Sequence, residues 1–135
     1  MKPIQSLIIC ALAAIPIVLP VPAWASGDIA KPDHLDCAGN YSALSLALPY
    51  LPGVFLMFKI APRSGYAQNI YVREVKPISK RAVRIEANRR KREIMAAFEA
   101  GEITLQDIVA KVHACDAYYG LDPAPTTLDD LLRYE

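Results

Sequence analysis

Tyr71-Val72-Arg73-Glu74-Val75-Lys76-Pro77-Ile78-Ser79-Lys80-Arg81-Ala82-Val83-Arg84-Ile85 is the stretch on which the fold class turns. With Ile70 it opens on β-formers, and a hairpin between residues 54–60 and 69–75 satisfies that propensity. Its longer period is helical. Tyr71, Val75, Ile78, Ala82 and Ile85 recur at intervals of 4, 3, 4 and 3, the seam of a helix sustained over about four turns. Sustained period outweighs local propensity, so the spacing predicts helix to about Ala100, with Gly101 as its C-terminal cap. Pro77 has no N–H to donate and is expected to kink this helix or to start a new one.

Upstream, Val54-Phe55-Leu56-Met57-Phe58-Lys59-Ile60 is apolar on every side and reads as a short buried helix or a strand. Pro62 closes it, and Arg63-Ser64-Gly65 has the composition of a turn. Before it, Asp33 or Asp36 can cap a helix running to about Leu48. Tyr41, Leu44 and Leu48 form its apolar stripe, and Gly39, Ser42 and Ser45 give a small-residue face suited to close packing. Pro49 and Pro52 end it. Residues 26–33 read as a loose arm.

Downstream, Thr104 can cap a helix whose Leu105, Ile108, Val109, Val112, Cys115 and Tyr119 lie on one face. Gly120 ends it, and Pro123 and Pro125 prevent its return. Thr127 then caps a last short helix through Leu132. The expected fold is all-α, a small bundle of about four helices with one disulfide. The alternative is α+β with the short hairpin at 54–60 and 69–75.

The chain has 135 residues, room for one domain. Residues 1–25 read as a signal peptide: Lys2, an apolar run from Ile4 to Ile15, then Ala23-Trp24-Ala25 as the cleavage motif. A spanning helix needs about 20 unbroken apolar residues, and Pro16, Pro20 and Pro22 interrupt this one. Cys10 stands after bulky Ile9 rather than the small residue a lipoprotein signal requires. Residues 26–135 then form a single helical domain, periplasmic or secreted, with no transmembrane segment after cleavage. Lys2 is the one charge lost, so 15 basic residues become 14, against 14 acidic.

That domain keeps two cysteines, Cys37 and Cys115, and an even pair in an oxidising compartment reads as a disulfide. The competing reading is a metal site of His34, Cys37, His113 and Cys115, a zinc-compatible set. Helix geometry argues against it, because residues two apart, such as His113 and Cys115, diverge by about 200° on a helix. No Cys-x-x-Cys-His is present for covalent haem, and no cofactor is expected.

Charge is uneven. Residues 76–92 hold eight basic side chains against Glu86, whereas residues 99–135 hold eight acids against Lys111 and Arg133. One reading is mutual neutralisation of two antiparallel neighbours. The functional reading is a basic surface, centred on Arg84, Arg89, Arg90, Lys91 and Arg92, for an anionic envelope component such as lipid head groups, lipopolysaccharide or cell-wall polymer. Nucleic acid is not expected, since no aromatic side chains interleave the cations to stack bases.

No GxSxG, P-loop, GxGxxG or HExxH occurs, and no catalytic residues are assigned. Tyr119-Gly120-Leu121-Asp122-Pro123 is similar to the segment leading into the catalytic helix of lytic transglycosylases. The next four residues are Ala124-Pro125-Thr126-Thr127, without that family's Glu-Ser pair, so the activity does not carry over. In kind the chain resembles small disulfide-bonded periplasmic helical proteins, including acid-stress chaperones and toxin-neutralising inhibitors. The sequence therefore predicts an exported non-catalytic binding or envelope protein, its partner an anionic component or another envelope protein. The alternatives are a cell-wall enzyme accessory or degenerate enzyme, and the metal-binding module.

Overall fold

Asp33 begins the first helix by accepting hydrogen bonds from the backbone N–H of Leu35 and Asp36, at 2.8 and 3.4 Å. The helix, α1 (His34–Ala47), buries ten of its fourteen residues. A helix buried on so much of its circumference sits at the centre of a bundle, and each of the other three helices packs on α1. A computed structural model describes residues 29–48, 59–127 and 130. The expected signal peptide, the 54–58 part of the ambiguous apolar segment and most of the expected final helix lie outside the described residues. Among the described residues, no helix is long and apolar enough to cross a membrane.

The second helix, α2 (Ala61–Glu74), begins with Pro62 in its first turn. Pro62 was expected to close a segment and residues 63–65 to turn; both are helical instead. Proline is tolerated there because the first N–H groups of a helix have no intrahelical partner. Residues 69–74 are helical as well, which removes the alternative hairpin, and the described residues contain no strand.

Helix α2 ends where the Val75 N–H binds the Tyr71 carbonyl, and the Lys76–Pro77 peptide is cis. Ser79 caps the next helix, α3 (Lys80–Glu99), by accepting from the Ala82 N–H at 3.1 Å. Pro77 thus separates two helices, and the expected seam is not one buried line. Tyr71 and Ile78 pack against the core, but Val75 and Ile85 are exposed; Val83 and Ala87 are the buried residues of α3. The 4-3-4-3 count ran through a break at which helical phase is lost.

Gly101 is left-handed (φ 73°) and ends α3 with its N–H on the Phe98 carbonyl and the Glu102 N–H on that of Ala97. The fourth helix, α4 (Leu105–Tyr119), opens on a reciprocal capping box between Thr104 and Asp107 and closes at left-handed Gly120. Its Ile108, Val112 and Cys115 are buried as the spacing predicted.

Cys37 and Cys115 form a disulfide, Cα to Cα 5.9 Å, joining α1 to α4 across a sequence separation of 78 residues. In the chain-entropy picture closing such a loop contributes about 4–5 kcal/mol. The bridge is compatible with an extracellular location. Around it the core gathers Tyr41, Leu44 and Leu48 with Ile60, Val83, Ile108 and Val112. Each such side chain contributes about 1.5–3 kcal/mol on burial.

Candidate functional site

Helix α3 has two unlike flanks. Successive residues turn by about 100°, so Lys80, Arg84 and Lys91 lie within about 40° of one another and Arg81 and Arg92 within about 20°. Among the described residues, none of these five has a carboxylate within 4 Å, nor does Lys76 in the connection before α3. The other flank carries Glu86, Arg89, Arg90 and Glu93, and there every arginine is paired. Arg89 binds Glu86 and Glu93 of its own helix. Arg90 reaches Asp36, Asp33 and Glu86, tying α3 to the start of α1. The hydrogen bond from Arg89, seconded by that from Arg90, pushes the Glu86 carboxyl down to about 2.

Of the five residues expected to form the basic surface, Arg84, Lys91 and Arg92 therefore lie on the unpaired flank. Arg89 and Arg90 are committed to carboxylates. Their partners are not the acids of residues 99–122: Asp33 and Asp36 on α1, with Glu86 and Glu93 on α3, supply the neutralisation. The two charge blocks are not antiparallel partners, because α3 and α4 both pack on α1 and not extensively on each other.

The unpaired flank borders a groove of about 310 Å³ between α2 and α3. Gly65, Gln68, Asn69 and Val72 line it from α2, at helical intervals of 3, 1 and 3; Lys80, Val83 and Arg84 line it from α3. Val83 is buried and Val72 packs on the core, so these two fix the groove to the bundle. Space beside Gly65 is open: a Cβ there meets nothing within 4 Å. Gln68 donates weakly to Ser64 Oγ at 3.3 Å, while the Asn69 amide has no hydrogen-bond partner among the described residues. The groove thus offers two cations and two amides with no carboxylate in its lining. Sequence reasoning missed its α2 wall because residues 63–65 read as a turn. The spacing of Gly65, Gln68, Asn69 and Val72 was the available signal.

The four residues weighed as metal ligands do other work. Both sulfurs are in the disulfide. His113 Nε2 is 3.0 Å from the Ala124 carbonyl, to which it donates. His34 is buried, with Nε2 3.1 Å from Glu74 Oε2 and Nδ1 2.7 Å from Tyr119 Oη. Lys31 holds the same Glu74 oxygen at 2.6 Å, keeping that carboxyl below its ordinary range. An ionised carboxylate only accepts, so His34 donates to Glu74 from Nε2. Lys31 thus ties the part of the N-terminal arm next to α1 to the end of α2, while residues 26–28 of that arm lie outside the described residues.

A second network sits at Asp116, one of the eight acids of residues 99–135 and fully buried. It accepts from Tyr41 Oη at 2.6 Å, Arg63 Nη1 at 2.6 Å and the Ala124 N–H at 2.7 Å. Arg63 also donates to the Asp122 carbonyl. Removing one partner of such a buried ion pair typically costs about 3–5 kcal/mol. Residues 119–123, the segment similar to transglycosylases, serve here as the α4 terminus and the strap held by Arg63. Comparison with family models, with curated proteins and with solved structures gave no match to the chain.

Proposed function

We propose that the protein is an exported, non-catalytic binding protein that engages an anionic envelope component through the unpaired flank of α3. The observation that carries this reading is the segregation of charge on one helix. Arg89 and Arg90 are neutralised in place, whereas exposed Lys80, Arg81, Arg84 and Arg92 and half-buried Lys91 have no carboxylate partner among the described residues. Uncompensated cations repel one another and cost stability unless an outside anion meets them. The apolar leader sequence and the disulfide support an envelope setting.

The test is co-sedimentation with phosphatidylglycerol vesicles against phosphatidylcholine vesicles over a salt series. Exposed charges are screened over about 8–10 Å near physiological ionic strength, so binding should fall steeply with salt and be absent on the neutral vesicles. Arg81→Gln with Lys91→Gln and Arg92→Gln should weaken it without unfolding the protein. Equal, salt-insensitive binding to both vesicle types would refute the reading.

A further inference from the structure

We infer that the groove between α2 and α3 is a binding site for a terminal phosphate, a phosphomonoester, with Arg84 and Lys80 as its cationic ligands. The inference rests on the anionic-partner reading and narrows it to one chemical group.

Charge balance sets the class. Arg84 and Lys80 bring two positive charges, and no carboxylate lines the groove. A phosphomonoester carries about −1.5 to −2 at neutral pH, and so matches the pair. A carboxylate or a phosphodiester carries one charge and leaves a cation unmet.

The donor types agree. The Arg84 guanidinium is a planar fork suited to two phosphate oxygens, and Lys80 is a compact point charge that can turn toward the third. The amides of Gln68 and Asn69 on the facing helix add neutral N–H donors. Val72 and Val83 give the groove an apolar wall for the carbon skeleton of the ester. The volume, about 310 Å³, is at the small end of ligand sites, room for a phosphate and a short carrier.

The start of α3 supplies an independent argument. Its first turn carries Lys80 and Arg81 and no acid. Cations at a helix N-terminus oppose the macrodipole, and acids are the stabilising choice there. Local rules broken in this way concentrate at functional sites. An anion beside Lys80 meets both the side-chain charge and the helix end.

Phosphomonoesters occur in solution and on lipid head groups, and the experiment separates them. Binding of glycerol 3-phosphate is measured by calorimetry against potassium chloride at equal ionic strength. Co-sedimentation is measured on vesicles containing phosphatidic acid, a monoester, or phosphatidylglycerol, a diester, at matched surface charge. The expected result is saturable binding of glycerol 3-phosphate and at least fivefold preference for phosphatidic acid. Both should fall tenfold or more in Lys80→Gln with Arg84→Gln, two side chains without partners among the described residues, so the fold should persist by circular dichroism. Arg81→Gln with Arg92→Gln should lower vesicle binding on both lipids and keep the preference. Arg84→Lys, which retains charge and loses the fork, should fall between wild type and the double variant. Equal binding to the two lipids, reduced equally by either double variant, would overturn the groove and leave the anionic-surface reading standing. Binding of glycerol 3-phosphate with none to either vesicle would support the groove and overturn a membrane partner. Absence of binding to both glycerol 3-phosphate and phosphatidic acid would overturn the phosphate site.

Discussion

Gly39 of α1 lies so close to Arg90 of α3 that a Cβ at position 39 would stand 2.9 Å from the Arg90 Cβ and 3.2 Å from the Lys91 backbone nitrogen. Neither atom is the yielding end of a side chain. The two helices approach at this point because position 39 has no side chain, and the approach lets Arg90 reach Asp33 and Asp36.

Gly39→Ala is expected to destabilise the protein. In an open helix the change gains about 1 kcal/mol of propensity. Here it forces α1 and α3 apart, and overpacking of this kind costs about 1–3 kcal/mol. Urea unfolding should therefore show a lower midpoint with an unchanged slope. A raised midpoint would mean that α1 and α3 are not held at this distance.

Ile85→Asp and Val83→Asp separate the structure from the seam that the sequence suggested. Ile85 is 59% exposed and Val83 is 1% exposed. The aspartate at 85 should stay within about 0.5 kcal/mol of wild type. The aspartate at 83 buries an unpaired carboxylate and should abolish cooperative unfolding. Circular dichroism with thermal melts distinguishes the two.

That contrast shows where the sequence was legible. The Tyr41–Leu44–Leu48 stripe and the caps at Thr104, Gly101 and Gly120 each depend on short-range spacing within one helix, and the Cys37–Cys115 bridge on there being one way to pair two cysteines; each stands as read. The Tyr71–Ile85 seam spans two helices, and periodicity carries no phase across a proline. Pro62 and Gly65 have turn composition, yet the first turn of a helix accepts the one, and the other is carried inside α2 at the modest cost of glycine in a helix. At the candidate site, the excess of cations was legible in the sequence, but their partners were not. Arg90 meets Asp33 and Asp36 across more than fifty residues, a tertiary choice that no local pattern encodes.

Stability should hold a plateau between two pH limbs. Glu86 is pushed down to about 2, first by its hydrogen bond from Arg89; Glu74 and Asp107 are also held below the ordinary range, by Lys31 and by the Thr104 backbone. An unfolded glutamate titrates near about 4.3. A folded value below the unfolded one stabilises above the unfolded value and loses that stabilisation as pH falls toward the folded one. The acid limb should thus lie between about pH 4.5 and 2. Burial raises the Tyr41 and Tyr119 hydroxyls above their ordinary range, with Asp116 adding to the rise at Tyr41. A raised folded value stabilises below the unfolded value, about 10 for tyrosine, and the benefit is lost above it. Denaturant midpoints measured across pH 2–12 check both limbs, and Glu86→Gln should make the acid limb shallower, with Glu74 and Asp107 keeping the rest of it, and leave the alkaline limb unchanged.

Arg90→Gln and Arg92→Gln, two positions apart in one basic run, should act on different properties. Arg90 is half-buried and bonded to Asp36, Asp33 and Glu86, so its loss frees the start of α1 from α3. Exposed ion pairs contribute about 0–1 kcal/mol singly, and three sharing one guanidinium place Arg90→Gln near the top of that range. Its vesicle affinity should fall less than that of Arg92→Gln, because the carboxylates it uncovers lie on the other flank of α3, where salt screens them from the vesicle. Arg92 has no carboxylate partner among the described residues, so its replacement should leave the unfolding midpoint in place. The same replacement should weaken binding to phosphatidylglycerol vesicles and make what remains less dependent on salt. Unfolding and co-sedimentation on the two variants form a cross-over design. If both variants lost affinity equally at equal stability, the division of α3 into a structural flank and a binding flank would fail.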